Sequence, residues 1–191
     1  MYMFGSRQLQ FLLGLGVAIA LIIVILLIVF IPSGPKKVTT KPMAAYANNP
    51  TAQVAMLIDG PTNAPSLHSQ VQVYITNSIT TINIFRGYND TVVKSSIFPM
   101  DEAAFHVFLR SLEYAGYNDG ITNSKLAQAS GICPLGDRYI FTFNVNGVQK
   151  QRYWQTSCGG LHTYNGNLQL TLSLFQAQVP GYSNIISGAN L

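Results

Sequence analysis

Twenty-one consecutive uncharged residues, positions 11–31 (FLLGLGVAIALIIVILLIVFI), constrain this chain more than any motif in it. At 1.5 Å of rise per residue such a run makes a helix of about 31 Å, the thickness of a bilayer's hydrocarbon core. A helix buried in a soluble domain keeps polar residues along one face, and this run has none. A cleaved signal peptide has a shorter apolar core and a small-residue cleavage site. Here Pro32-Ser33-Gly34-Pro35 follows, with neither an A-x-A pattern nor a cysteine to accept a lipid. The sequence therefore predicts a short tail over residues 1–10 and a single-pass, uncleaved signal-anchor helix over residues 11–31. A proline-rich stalk over residues 32–50 then leads to a domain spanning residues 51–191.

Orientation rests on two opposed signals. Lysine and arginine near a span mark its cytoplasmic side. Only Arg7 precedes the run, whereas Lys36, Lys37 and Lys41 follow it. That bias favours a cytoplasmic domain. The domain's two cysteines favour an oxidising compartment, and long C-terminal domains are translocated despite flanking charge. The expected location is the cell membrane, with the C-terminal domain outside the cytoplasm.

The net charge of +4 is a property of these flanks. From Pro42 onward seven basic residues face seven acidic ones, and no cluster neutralises a row of phosphates, which argues against nucleic acid as a partner. The domain is large enough to bury one core. Its surface residues are mostly amides, hydroxyls and tyrosines, with few ions.

Hydrophobic patterning predicts strands at residues 54–58, 70–76, 79–85 and 91–98, joined by short turns as an antiparallel meander. Asp101 is placed to cap a helix whose Phe105, Phe108, Leu109 and Leu112 fall on one face, with Gly116 after its end. Residues 117–132 read as a loop rich in glycine, asparagine and serine, with a helical turn at 124–128. Asn146-Gly147 joins strands 139–145 and 148–156, because both turn residues tolerate positive φ. A second helix over residues 167–178 stops at Pro180-Gly181. The expected fold is α+β: an antiparallel sheet in the order β-β-β-β-α-β-β-α, with two helices on one face.

Counting outward from Asn146-Gly147 sets Val145 opposite Val148, Phe143 opposite Lys150, Phe141 opposite Arg152 and Tyr139 opposite Trp154. Cys133 and Cys158 then arrive at the open end of the hairpin two residues out of alignment, an offset Pro134 and Gly136 can absorb. Oxidising surroundings would make them a structural disulfide; two reduced cysteines meeting by chance is the alternative. The register also groups Tyr139 and Phe141 with Arg152 and Trp154. This aromatic and basic face is either a binding platform or the apolar face turned to the helices, and a sheet's need for one apolar face favours the second.

For catalysis the chain offers little. His68, His106 and His162 have no metal-ligand spacing to one another or to a cysteine or carboxylate, and no cofactor motif is present. Ser157-Cys158-Gly159-Gly160-Leu161-His162 places two glycine amides near a histidine, a minimal oxyanion site with a base. The glycines equally serve to turn the chain away from the hairpin, and no G-x-S-x-G pattern supports the catalytic reading.

Two strings carry a resemblance: Gly131-Ile132-Cys133-Pro134-Leu135-Gly136 with Arg138-Tyr139, and Arg152-x-Trp154-x-Thr156-Ser157-Cys158-Gly159. With Phe175-Gln176-x-Gln178-Val179-Pro180-x-Tyr182, Asp59-Gly60-Pro61 and Gly87-Tyr88-Asn89, they resemble uncharacterised single-pass membrane proteins of Saccharibacteria type, from the candidate phyla radiation. The resemblance covers most of the ectodomain. It implies an anchored, disulfide-bonded extracytoplasmic domain and brings no assigned activity.

The function expected is that of a non-enzymatic ectodomain binding a protein or a surface polymer. The 117–132 loop, with Tyr117, Asn118, Asn123 and Lys125, is the candidate contact segment, because binding residues concentrate on loops held by rigid scaffolds. On this reading residues 117–128 can be scrambled without loss of stability. A cell-envelope hydrolase or transferase using His162, and a structural envelope component, are the alternatives.

Overall fold

A computed structural model describes residues 41–191. The predicted tail, the span at 11–31 and the first part of the stalk lie outside the described residues. Among the described residues no helix is long and apolar enough to cross a membrane.

The predicted meander is present as β1 (Gln53–Asp59), β2 (Ser69–Ile75), β3 (Ile79–Arg86) and β4 (Thr91–Pro99). After α1 (Glu102–Tyr114) come β5 (Arg138–Val145) and β6 (Val148–Thr156), then α2 (Leu168–Ala177) and α3 (Tyr182–Ile186). All six strands form one antiparallel sheet in the order β4-β3-β2-β1-β5-β6. The fold is α+β. β5 returns to pair with β1 because that edge of the meander is left open and offers a matching apolar row. Phe143 and Phe141 lie opposite Val54 and Met56.

Strand alternation divides these residues between two faces. One carries Val54, Met56, Val71, Val73, Ile82 and Phe141, all essentially without exposure, and the helices pack on it. α1 buries the predicted Phe105, Phe108, Leu109 and Leu112. Phe108 meets Phe175 of α2 edge-on, with ring centroids 5.4 Å apart. Asp101 caps α1 as expected, its Oδ1 accepting from the Ala104 amide at 2.8 Å; Asn167, expected as the first residue of the second helix, instead caps it, its Oδ1 accepting from the Leu170 amide at 3.0 Å.

Three expectations need correction. The stalk does not extend to residue 50: Met43 and Ala47 are buried in the core, and the Met43 amide donates to Glu113 Oε1 at 3.0 Å. Thr51 Oγ1 donates to Asn146 Oδ1 at 2.6 Å and accepts from the Asn146 amide at 2.8 Å, so this segment pins the Asn-Gly turn. Apolar periodicity is too sparse in residues 43–47 to announce such packing. The second helix does stop before Pro180-Gly181, but the expected element order lacks a third helix that follows. Gly181, at φ 69°, starts the five-residue α3, which joins α1 and α2 on the same face through buried Tyr182.

The third correction concerns the β5–β6 register. Val145 faces Val148 as counted, but Asn144 faces Gln149 and Phe143 faces Gln151, leaving Lys150 as an extra residue in a bulge. From there outward Phe141 faces Tyr153 and Ile140 faces Trp154. A one-residue slip exchanges the faces of every later side chain. Arg152 and Trp154 therefore lie on the sheet face opposite Tyr139 and Phe141, and the four residues form no common surface.

Burial also gives the fold an alkaline limit. Tyr117, Tyr139, Tyr164 and Tyr182 all titrate higher than a free tyrosine, chiefly through desolvation; Tyr139 is pushed up to about 12, with the Asp137 carboxylate adding to the effect. A phenol that holds its proton more tightly when folded contributes stability that is complete below pH 10 and lost as pH rises toward 12. Urea midpoints measured from pH 9 to pH 12 should fall through that window, and Tyr139→Phe should lessen the fall. A midpoint constant to pH 12 would contradict the burial of these phenols.

Candidate functional site

The sheet face without helices is covered over β5 and β6 by residues 124–132. Trp154, fully buried, packs there with Ile140 and Ala129, and with Leu57, Leu126 and Ile132 at the margin. Its indole Nε1–H donates to the Leu126 carbonyl at 2.7 Å, and Arg152 Nη1 donates to the Ala127 carbonyl at 2.5 Å. These two donors clamp a segment whose own sequence is too polar to bind by burial alone. A 3-10 turn at Ser124–Leu126 begins it, with Asn123 accepting from the Lys125 amide at 2.9 Å.

Ahead of the clamp the chain crosses the outer edge of β6. The Thr163 and Tyr164 amides both donate to the Trp154 carbonyl, and the Ile121 amide donates to the Thr163 carbonyl. Gly120 is required at this crossing, since a Cβ there would lie 2.6 Å from the ring of Tyr153. A cleft of about 380 Å³ is left between residues 121–128 and β6, lined by Thr122, Asn123, Gln128, Gln149, Lys150 and Arg152 among others. Arg152 is half-buried, and desolvation lowers its pKa. A second groove, of about 480 Å³ between α1 and α2, is lined by Val107, Phe108, Ser111 and Leu174; it is mostly apolar and lacks the converging polar groups of the β6 cleft.

Cys133 and Cys158 are disulfide-bonded, with Cα atoms 5.8 Å apart. A turn closed by the Gly136 amide on the Cys133 carbonyl at 3.2 Å absorbs the offset at the hairpin's open end. Only glycine fits at position 136, where a Cβ would sit 2.7 Å from Cys133 Sγ. The bridge fixes the C-terminal end of the segment over Trp154. It spans 25 residues of sequence, and in the chain-entropy model such closure contributes about 3.5 kcal/mol. Reduction should therefore lower the unfolding free energy by about that amount; a loss below about 1 kcal/mol would mean the hairpin holds itself without it.

The predicted contact residues part company. Asn123 is exposed on the cleft wall and Lys125 is exposed beside it, while Asn118 is half-buried outside it. Tyr117 is not a surface residue at all: it is fully buried, and its hydroxyl donates to the Ala55 and Thr142 carbonyls at 3.0 and 2.8 Å. With Leu126 also packed on Trp154, scrambling residues 117–128 would damage the fold. His162 is exposed, its Nδ1 2.7 Å from the Gly160 carbonyl, and no hydroxyl approaches it among the described residues. The Gly160 carbonyl is its one hydrogen-bond partner among the described residues, and the two glycines and His162 all lie on exposed chain. No protein-family model matches the chain, and no curated protein matches it in sequence.

Sequence reading missed a polar cluster at the far end of β1. Asp59 Oδ2 accepts from Arg138 Nε at 2.8 Å, and Asp59 Oδ1 accepts from Gln70 Nε2 at 3.0 Å. Arg138 also donates to the Gly60 carbonyl at 2.8 Å and to Thr62 Oγ1 at 3.2 Å. His68 is fully buried, stacked on Tyr88 with centroids 4.1 Å apart, its Nδ1 3.0 Å from the Pro61 carbonyl and its Nε2 3.2 Å from Asp59 Oδ1. Asp59, His68 and Gln70 meet across the β1–β2 connection, and the distant Arg138 joins them only through the pairing of β5 with β1. Arg138 and Gln70 supply the carboxylate's hydrogen bonds, while His68 Nε2 is buried beside it with no hydrogen-bond partner among the described residues. Among the described residues no three histidine, cysteine or acidic side chains converge to hold a metal ion.

Proposed function

We propose that this chain is a membrane-anchored, extracytoplasmic binding module whose β6 cleft takes a protein or surface polymer. The observation that carries the reading is the cleft itself: a polar recess whose walls are fixed by the Trp154 and Arg152 clamps and the Cys133–Cys158 bridge. Pre-organised walls of this kind reduce the ordering cost of binding. Anchorage rests on the apolar run at 11–31, and the external location on the disulfide, as the resemblance to Saccharibacteria-type membrane proteins implies.

Position-specific photo-cross-linking on intact cells tests the cleft. A photoreactive side chain at Asn123 or Gln149 should capture an adduct that one at exposed Tyr114 or Leu135 does not. The same adducts from all four positions would remove the reading. Location is tested separately with a membrane-impermeant maleimide. No label is expected until an impermeant phosphine reduces the bridge; labelling only after lysis would place the domain in the cytoplasm.

A further inference from the structure

The β6 cleft gathers positive charge without a counter-ion. Arg152 holds its guanidinium half out of water in the cleft wall, and the Ala127 carbonyl is its one hydrogen-bond partner among the described residues. The one arginine–carboxylate ion pair among the described residues joins Arg138 to Asp59, at the other end of the sheet, and does not involve Arg152. Lys150, pushed outward by the bulge, adds a second cation, and Lys125 stands exposed beside the rim. No aspartate or glutamate lines the cleft. A guanidinium in this position keeps planar donors free, the geometry that grips carboxylate or phosphate through paired bonds.

The rest of the lining sets the kind of anion. Gln128, Gln149, Asn123 and Thr122 offer amide and hydroxyl groups that both donate and accept, as a hydroxyl-rich ligand requires. Tyr153 supplies an aromatic surface. An added peptide strand would have only a short length of edge, because β6 at Trp154 is already occupied by residues 163 and 164. We infer that the cleft binds an anionic polyhydroxyl chain, a sugar or polyol polymer carrying carboxylate or phosphate groups, with Arg152 and Lys150 on the anion. This deepens the proposed binding role and rests on it.

The test titrates the full-length chain in detergent micelles with four probes: alginate, poly(glycerol phosphate), uncharged dextran and polyglutamate. Alginate or poly(glycerol phosphate) should bind and dextran should not; which of the two binds more tightly tells carboxylate from phosphate. Raising salt from about 50 to about 300 mM should weaken binding. Arg152→Gln should reduce affinity by about tenfold or more, Arg152→Lys by less, because lysine keeps the charge but loses the fork. Lys150→Gln alters an exposed side chain and so reads charge without disturbing the clamp. Dextran binding as well as alginate, or affinity unchanged in both Arg152→Gln and Lys150→Gln, would overturn the inference. Polyglutamate preferred over both polyhydroxyl anions would assign the cleft to an acidic peptide instead. If no probe binds while cross-linking from Asn123 and Gln149 persists, the anion assignment fails and the binding role stands.

Discussion

Arg138→Met should lower the unfolding free energy of the domain by about 4 kcal/mol, within the range for removing one partner of a buried ion pair. The arginine side chain is only 7% exposed and the Asp59 side chain 20%, so little water is available to replace what the guanidinium provides. Methionine preserves most of the stem's volume and isolates the polar loss. Asp59 loses its 2.8 Å partner, and the Gly60 carbonyl and Thr62 hydroxyl lose donors in the same step. For a domain of this size such a change shifts the melting temperature by about 8–16 °C. Removing both charges should recover much of the loss, because an apolar pair carries no stranded carboxylate. Arg138→Met with Asp59→Leu should therefore be more stable than Arg138→Met alone. A single-variant loss below about 1 kcal/mol, or a double variant worse than the single, would show that the cluster does not depend on the pair.

That cluster marks a boundary of what residue order discloses. Short-range signals carried the meander, the capping by Asp101, the apolar face of α1 and the Asn146-Gly147 turn, since each depends on neighbours within a few positions. Contacts between distant segments were not so disclosed. Arg138 gives no local hint of meeting Asp59 and His68, because the return of β5 to β1 sets its distance from them. The bulge at Lys150 was equally hidden. An alternating string reads the same whether or not one residue is later squeezed out, yet that single residue moves Arg152 and Trp154 from one face to the other. The β6 cleft was therefore half legible: its loop wall and its cations were singled out, but their juxtaposition needed the bulge. Tyr117 was misplaced for a related reason, since a tyrosine at the start of a glycine-rich loop looks exposed until its hydroxyl is seen bonded to two central strands.

Trp154→Ala is expected to cost about 4–5 kcal/mol and to release the cleft wall together with the stability. The indole is fully buried, and its removal leaves a cavity that Ala129, Ile140 and Leu126 cannot close without the loop moving. The Leu126 carbonyl loses its donor at the same time. Trp154→Phe separates these terms, because it keeps most of the ring while removing the N–H, and should cost about 1–3 kcal/mol. Hydrogen exchange distinguishes a local from a general effect. In Trp154→Ala the amides of residues 124–132 should lose protection first, whereas those of β1 and β2, buried against the helices, should lose it only with global unfolding. Phe141→Ala, on the helix-packed face of β5, should give the opposite pattern at similar cost, with β1 loosened and the loop no more exposed than the fold as a whole. Loop protection unchanged in Trp154→Ala would mean that residues 124–132 are held by the disulfide and the Arg152 bond to the Ala127 carbonyl. The cleft would then owe its shape to Cys133–Cys158 and Arg152, and the tryptophan would serve only to fill the second face of the sheet.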